Sequence, residues 1–117
     1  MQRMKLFLAA SAMAGLLSVG ASAGNADLVK QGEKIFNTKK IGNCLACHAV
    51  NGKNINNPGN LGPKLQGLSA WPAEALYAKV YNPYTTNPIS AMPPFGLNGV
   101  LDDHQIKAVV AYLKTVK

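Results

Sequence analysis

The stretch Cys44-Leu45-Ala46-Cys47-His48 decides how the rest of the chain reads. If it forms one turn of helix, Cys44 and Cys47 face the same way, and His48, four residues beyond Cys44, lies on nearly the same side. Two thiols so placed can add to the two vinyl groups of a haem and form thioethers, with the imidazole brought under the iron. The pattern C-x-x-C-H is accordingly read as covalent haem attachment. The competing readings ask for more than the chain offers. A redox-active dithiol wants a surrounding βαβ pattern, and a structural zinc site wants four ligands where there are two cysteines and two histidines. A disulfide across so short a loop would stabilise little.

Working towards the N-terminus, Met1-Gln2-Arg3-Met4-Lys5 precedes an apolar run from Leu6 to Gly20 and then Ala21-Ser22-Ala23. This is the charged, apolar and small-residue order of a secretory signal, so residues 1–23 are expected to be removed after Ala23, leaving 24–117 as a single domain in the periplasm. A retained anchor would need roughly 20 consecutive apolar residues, and this run is diluted by Ser11, Gly15 and Ser18. No stable membrane anchor is therefore expected. So small a domain buries a modest core of its own, and with both cysteines committed to one motif no disulfide framework supplements it. A buried haem would.

The formal charge of +7 falls to +5 once Arg3 and Lys5 are removed, ten lysines then facing five carboxylates. Two haem propionates would lower it to about +3 at neutral pH. The lysines are dispersed and lack interleaved aromatics, which argues against a nucleic-acid partner.

Three stretches carry a helical apolar period and none a strand alternation, so the chain reads as all-α. The first follows Asn25 or Asp27 as a cap and aligns Leu28, Gly32, Ile35 and Phe36. Gly32 costs about 1 kcal/mol relative to alanine in a helix, which points to a close neighbour. The second begins with Pro72 in its first position and aligns Ala73, Leu76, Tyr77 and Val80 before Asn82-Pro83. The third begins at Asp102, with Gln105 completing a capping box, and aligns Ile106, Val109, Val110 and Leu113. Residues 51–62 and 82–99, rich in Asn, Gly and Pro, read as loops that need a surface to pack on.

A second axial ligand follows by elimination. Past residue 23 the chain holds one methionine, Met92, and one histidine besides His48, namely His104. Met92 sits in Ala91-Met92-Pro93-Pro94-Phe95-Gly96, stiffened by prolines, whereas His104 falls in the first turn of a helix on a solvated face. Met92 is the expected ligand, core filler being the alternative. Its neutral thioether would raise the haem potential and close the iron to substrates, which favours electron transfer over catalysis at the iron. In Leu61-Gly62-Pro63-Lys64-Leu65 a carbonyl can accept the His48 Nδ1–H bond, with Pro63 and Leu65 as haem-pocket residues. Composition reads Pro63 equally as an ordinary turn proline. Trp71, Tyr77, Tyr81 and Phe95 are candidates to line the haem or to fill the core, and Lys39-Lys40 either flank a haem edge or form a solvated loop.

Taken in order, Gly32 to Phe36, the Cys44–His48 motif, Gly62-Pro63-Lys64-Leu65, Met92-Pro93 and Ala108-Val109-Val110-Ala111-Tyr112-Leu113 resemble the landmarks of class I cytochromes c. The resemblance implies a small helical domain wrapped around one covalently bound haem c. It also implies that the first and last helices cross near Gly32 with Tyr112 or Phe36 in the contact. More narrowly, Gly42 to His48, Pro58 to Leu65, Tyr81-Asn82-Pro83 and Met92 to Gly96 resemble the SoxX family, the monohaem subunits of SoxAX complexes of sulfur oxidation. That resemblance implies Cys44 and Cys47 as thioether residues, His48 and Met92 as axial ligands, and no catalytic residue on this chain. Its implied partners are a SoxA-type cytochrome that couples thiosulfate to the SoxYZ carrier, and a downstream acceptor cytochrome. The alternative is a freely diffusing carrier donating electrons to a terminal oxidase or peroxidase.

Overall fold

A computed structural model describes residues 25–117, so the signal read over residues 1–23 lies outside the described residues. Among the described residues three α-helices carry the fold: α1 (25–37), α2 (Ala73–Tyr81) and α3 (Asp103–Leu113). Short 3₁₀ turns occupy Cys44–Ala46, Leu68–Ala70 and Pro83–Thr85.

Each helix begins where local chemistry favours it. The Asp102 carboxylate accepts from the Gln105 amide at 2.8 Å while the Asp102 N–H donates to Gln105 Oε1 at 2.9 Å, the expected capping box. Pro72 is extended (ψ 141°) and stands just outside α2, so Ala73 is the first helical residue, one later than the sequence suggests. Asn25 and Asp27 are both already inside α1, and Asp27 accepts instead from the Gln31 side chain one turn on, at 3.0 Å.

Helix α3 is the centre of the molecule, buried around most of its circumference. Its pairs one turn apart serve different neighbours. Ala108 and Tyr112 meet α1 at Gly32, where a Cβ would overlap the Ala108 carbonyl oxygen and lie 2.9 Å from Tyr112 Cβ. The Phe36 and Tyr112 rings close this crossing with centroids 5.4 Å apart, as the resemblance implied for the first and last helices. Val109 and Leu113 turn towards a cavity beside α2, whose Leu76 and Val80 are also buried. Burial of each such side chain contributes roughly 1.5–3 kcal/mol.

The remaining chain is tied down by backbone bonds. Asn51 N–H donates to the Leu65 carbonyl (2.9 Å) and Leu65 N–H to that of Ala49 (2.8 Å), an isolated parallel bridge that lays residues 61–65 alongside 47–51. The C-terminus straps over the Leu68–Ala70 turn through Gly67 N–H to Lys117 O (2.7 Å) and Ser69 N–H to Val116 O (2.9 Å). Lys114 adds bonds from its ammonium to the carbonyls of Ser69 and Trp71.

Candidate functional site

The thiols and imidazole are presented by the first 3₁₀ turn. Asn43 adopts a left-handed conformation (φ 55°, ψ 34°), which asparagine tolerates better than most residues, and redirects the chain into the turn. Cys47 N–H and His48 N–H both donate to the Cys44 carbonyl, at 3.2 and 3.0 Å. In a 3₁₀ turn residues three apart eclipse, so Cys44 and Cys47 come to one side. The loop behind the motif is pressed flat against it. Gly59 N–H donates to Leu45 O at 2.9 Å and Gly62 N–H to Cys47 O at 2.8 Å, and a Cβ at Gly59 would overlap the Ala46 carbonyl oxygen.

His48 is oriented from two directions. Its Nδ1 lies 2.7 Å from the Pro63 carbonyl oxygen. A carbonyl only accepts, so Nδ1 carries the proton and Nε2 keeps its lone pair for a metal. Gly62 supports the ring, since a Cβ there would stand 2.5 Å from Cε1 and 2.8 Å from Nδ1. The parallel bridge that aligns residues 61–65 with 47–51 is what delivers both contacts.

Cys44, Cys47, His48, Pro63, Leu65 and Met92 all line one cavity of about 500 Å³. Leu68, Leu76, Val80, Phe95, Val109 and Leu113 complete its apolar wall, and no carboxylate is among the lining residues. Cavities of this size and polarity suit cofactors. Burial pushes the Cys44 thiol up to about 11, its own backbone hydrogen bond opposing and neighbouring Cys47 adding to the rise. Redox-active dithiols have the reverse character, a lowered thiol. Among the described residues no group of three or more His, Cys, Asp or Glu side chains is placed to hold a metal ion. The donors that converge are two thiols, an imidazole with a free Nε2 and a thioether, in an apolar cleft. That set fits haem c.

The other histidine is elsewhere. His104 Nε2 lies 3.0 Å from Gln31 Oε1, across the α1–α3 contact and outside the cavity lining. Of the four aromatic candidates, Trp71 and Phe95 line the cavity, but Tyr77 and Tyr81 do not. Those two stack on each other with centroids 6.1 Å apart, and Tyr81 also covers Gly96. The helical period aligns Tyr77 with Leu76 and Val80 in sequence, yet both tyrosines stand outside the cavity lining. Lys39 and Lys40 are exposed in a turn and line no part of the cavity, whereas Lys64 and Lys79 do. The roles of Asn43, Gly62, Lys64 and Lys79 were not singled out from sequence. An asparagine directly before Cys44 and a glycine directly before Pro63 are the signals the sequence carries for two of them.

A helical domain folded around an apolar cleft with this donor set defines a c-type cytochrome. Residues 27–113 match the family described as cytochrome c oxidase, cbb3-type, subunit III, and the chain belongs to that cytochrome c family. Membership implies haem c and an electron-transfer role. A chain in the crystal structure of SoxXA from P. pantotrophus is similar with a TM-score of 0.66 and 30% identity, covering 74% of this chain and 79% of that one. The chain is thus a SoxX-like cytochrome with an all-α fold. An uncharacterized lipoprotein of Aquifex aeolicus (strain VF5) is 40% identical over 76 residues, which are 63% of this chain and 36% of that protein. This chain therefore corresponds to little more than a third of that curated relative. No described helix is long and apolar enough to cross a membrane.

Proposed function

We propose that this chain is the monohaem, electron-accepting subunit of a periplasmic thiosulfate-oxidising complex, exported by residues 1–23. In this reading Cys44 and Cys47 would attach one haem c through thioethers, and His48 and Met92 would be its axial iron ligands. Pro63 and Leu65 belong to the haem pocket. The observation that carries the proposal is the convergence on one cavity of both thiols, Met92 and an imidazole whose Nδ1 is engaged by Pro63 at 2.7 Å.

When bound, the haem supplies a one-electron iron couple. The chain's residues do the rest. The Pro63 carbonyl holds His48 in the tautomer that leaves Nε2 free and makes it a stronger donor. Met92, neutral and soft, favours the reduced state of the iron and so suits an acceptor. Leu68, Leu76, Val80, Val109 and Leu113 keep water from the cleft. Lys64 and Lys79 on its lining, with no carboxylate beside them, favour a docking partner with an acidic face.

The likeness to a chain of SoxXA supports a SoxA-type cytochrome as that partner, with the SoxYZ carrier reached through the complex and a further cytochrome taking the electron onward. Co-expression with a SoxA-type protein should yield a stable complex whose haem is reduced by thiosulfate when the carrier protein is present. Persistent monomer, with no reduction under those conditions, would overturn the proposal in favour of a diffusible carrier.

A further inference from the structure

The loop that brings Met92 to the cavity is staked at both ends. At its start Asn82 Oδ1 accepts from Tyr84 N–H (3.1 Å), and Lys79 Nζ donates to Thr86 Oγ1. At its end Gly96 and Leu97 N–H both donate to Tyr81 O, while Val100 and Leu101 N–H donate to Phe95 O. Met92 lies between these stakes, followed by Pro93 and Pro94, which have no N–H to anchor. Its own backbone is held by one side chain. Ser90 Oγ accepts from Met92 N–H at 3.1 Å and donates to the Met92 carbonyl at 3.2 Å. Among the described residues no other protein group bonds that amide or that carbonyl.

Ser90 is itself fixed by its N–H to Asn87 O, at 3.0 Å, and lines the same cavity. The hydroxyl thus bridges the two peptide groups on either side of the Met92 Cα, which together aim the thioether, in a stretch where no helix or ladder sets the backbone.

From this geometry we infer that Ser90 is a positioning residue for Met92: its hydroxyl sets how often the thioether leaves the iron, and so how closed the haem is to exogenous ligands. The inference rests on Met92 being the axial ligand. Without the hydroxyl, the Met92 amide and carbonyl lose their shared partner and the segment between the stakes samples conformations in which sulfur points away.

The test uses the haem-loaded protein and four forms: wild type, Ser90→Ala, Ser90→Thr and Met92→Ala. Three quantities are read: the long-wavelength absorption of sulfur bonded to ferric iron, the rate of carbon monoxide binding to the ferrous protein, and hydrogen exchange of the Met92 amide in wild type. Ser90→Ala should bind carbon monoxide about tenfold faster, the loss expected from one or two net hydrogen bonds, with a weakened sulfur band. Ser90→Thr, which keeps a hydroxyl at the same carbon, should behave as wild type. Met92→Ala should lose the band altogether.

Wild-type band and carbon monoxide kinetics in Ser90→Ala, with the band abolished in Met92→Ala, would overturn the inference and leave the ligand assignment standing. An unchanged band in Met92→Ala would overturn the ligand assignment itself. Should Ser90→Ala fail to fold, an unprotected Met92 amide in wild type, or faster carbon monoxide binding in Ser90→Thr, is sufficient to refute the clamp.

Discussion

Placing one methyl group at the α1–α3 crossing tests whether that contact organises the fold. In Gly32→Ala the new Cβ would overlap the Ala108 carbonyl oxygen and lie 2.9 Å from Tyr112 Cβ. Neither obstacle is the far end of a flexible side chain, so the helices themselves must separate. Overpacking of this kind costs about 1–3 kcal/mol. Separation also loosens the Phe36–Tyr112 pair, whose centroids are 5.4 Å apart, forfeiting about 0.5–1.5 kcal/mol. Alanine's better helix propensity returns about 1 kcal/mol. The net loss is about 2 kcal/mol, which in a domain of this size lowers the melting temperature by about 10 °C. Thermal unfolding of the ferric, haem-loaded protein followed by far-ultraviolet circular dichroism measures it, with Lys34→Ala on the exposed face of α1 as a control expected to change little. A Gly32→Ala protein that melts with or above the wild type would refute the close crossing.

Three further outcomes are expected. Gly62→Ala sets a methyl 2.5 Å from His48 Cε1 and 2.8 Å from Nδ1; the displaced ring loses the Pro63 carbonyl, becomes a weaker donor, and the reduction potential rises in an equilibrium redox titration. An unchanged potential would contradict the role given to that hydrogen bond. Asp102→Ala removes the carboxylate that accepts from the Gln105 backbone N–H and should destabilise α3 by about 1 kcal/mol, read as a lower urea midpoint at constant slope. The Asp103 carboxyl is held below its usual range by hydrogen bonds from Lys107 first and Tyr77 second. A depressed carboxylate stabilises the fold above its unfolded value and loses that contribution as pH falls through the lower folded value. Asp103→Asn should therefore flatten the acid limb of the stability profile below about pH 4, and an identical limb in both proteins would argue against it.

Much of the site is legible in sequence because its chemistry is local. The spacing of Cys44, Cys47 and His48 places two thiols and an imidazole within one turn whatever the rest of the chain does. Met92 could be found by counting, as the single methionine beyond residue 23. The capping box at Asp102 and Gln105 is likewise a short-range bond pattern, and α3 begins where it says. Gly32 announced a close neighbour because a helical glycine has an energetic cost that needs an offset, though only the resemblance named which helix supplies it.

What the sequence by itself determined is thus which thiols, imidazole and thioether line the cavity, the three described helices and the need for an apolar partner inside a small domain. Tertiary structure decided how those donors are aimed. Gly62 bears on the His48 ring, and the Pro63 carbonyl accepts its Nδ1–H bond, only because the bridge between Val50 and Leu65 sets two loop segments side by side. Tyr77 shares the helical period of Leu76 and Val80 but falls outside the cleft, since a period places residues on a helix face without saying which neighbour the face meets. The lysines beside the cavity are Lys64 and Lys79 rather than Lys39 and Lys40 for the same reason. Short-range geometry belongs to the chain's own covalent spacing, while orientation and electrostatic surroundings come from segments distant in sequence, whose approach exists only once the backbone bonds of the loops are made.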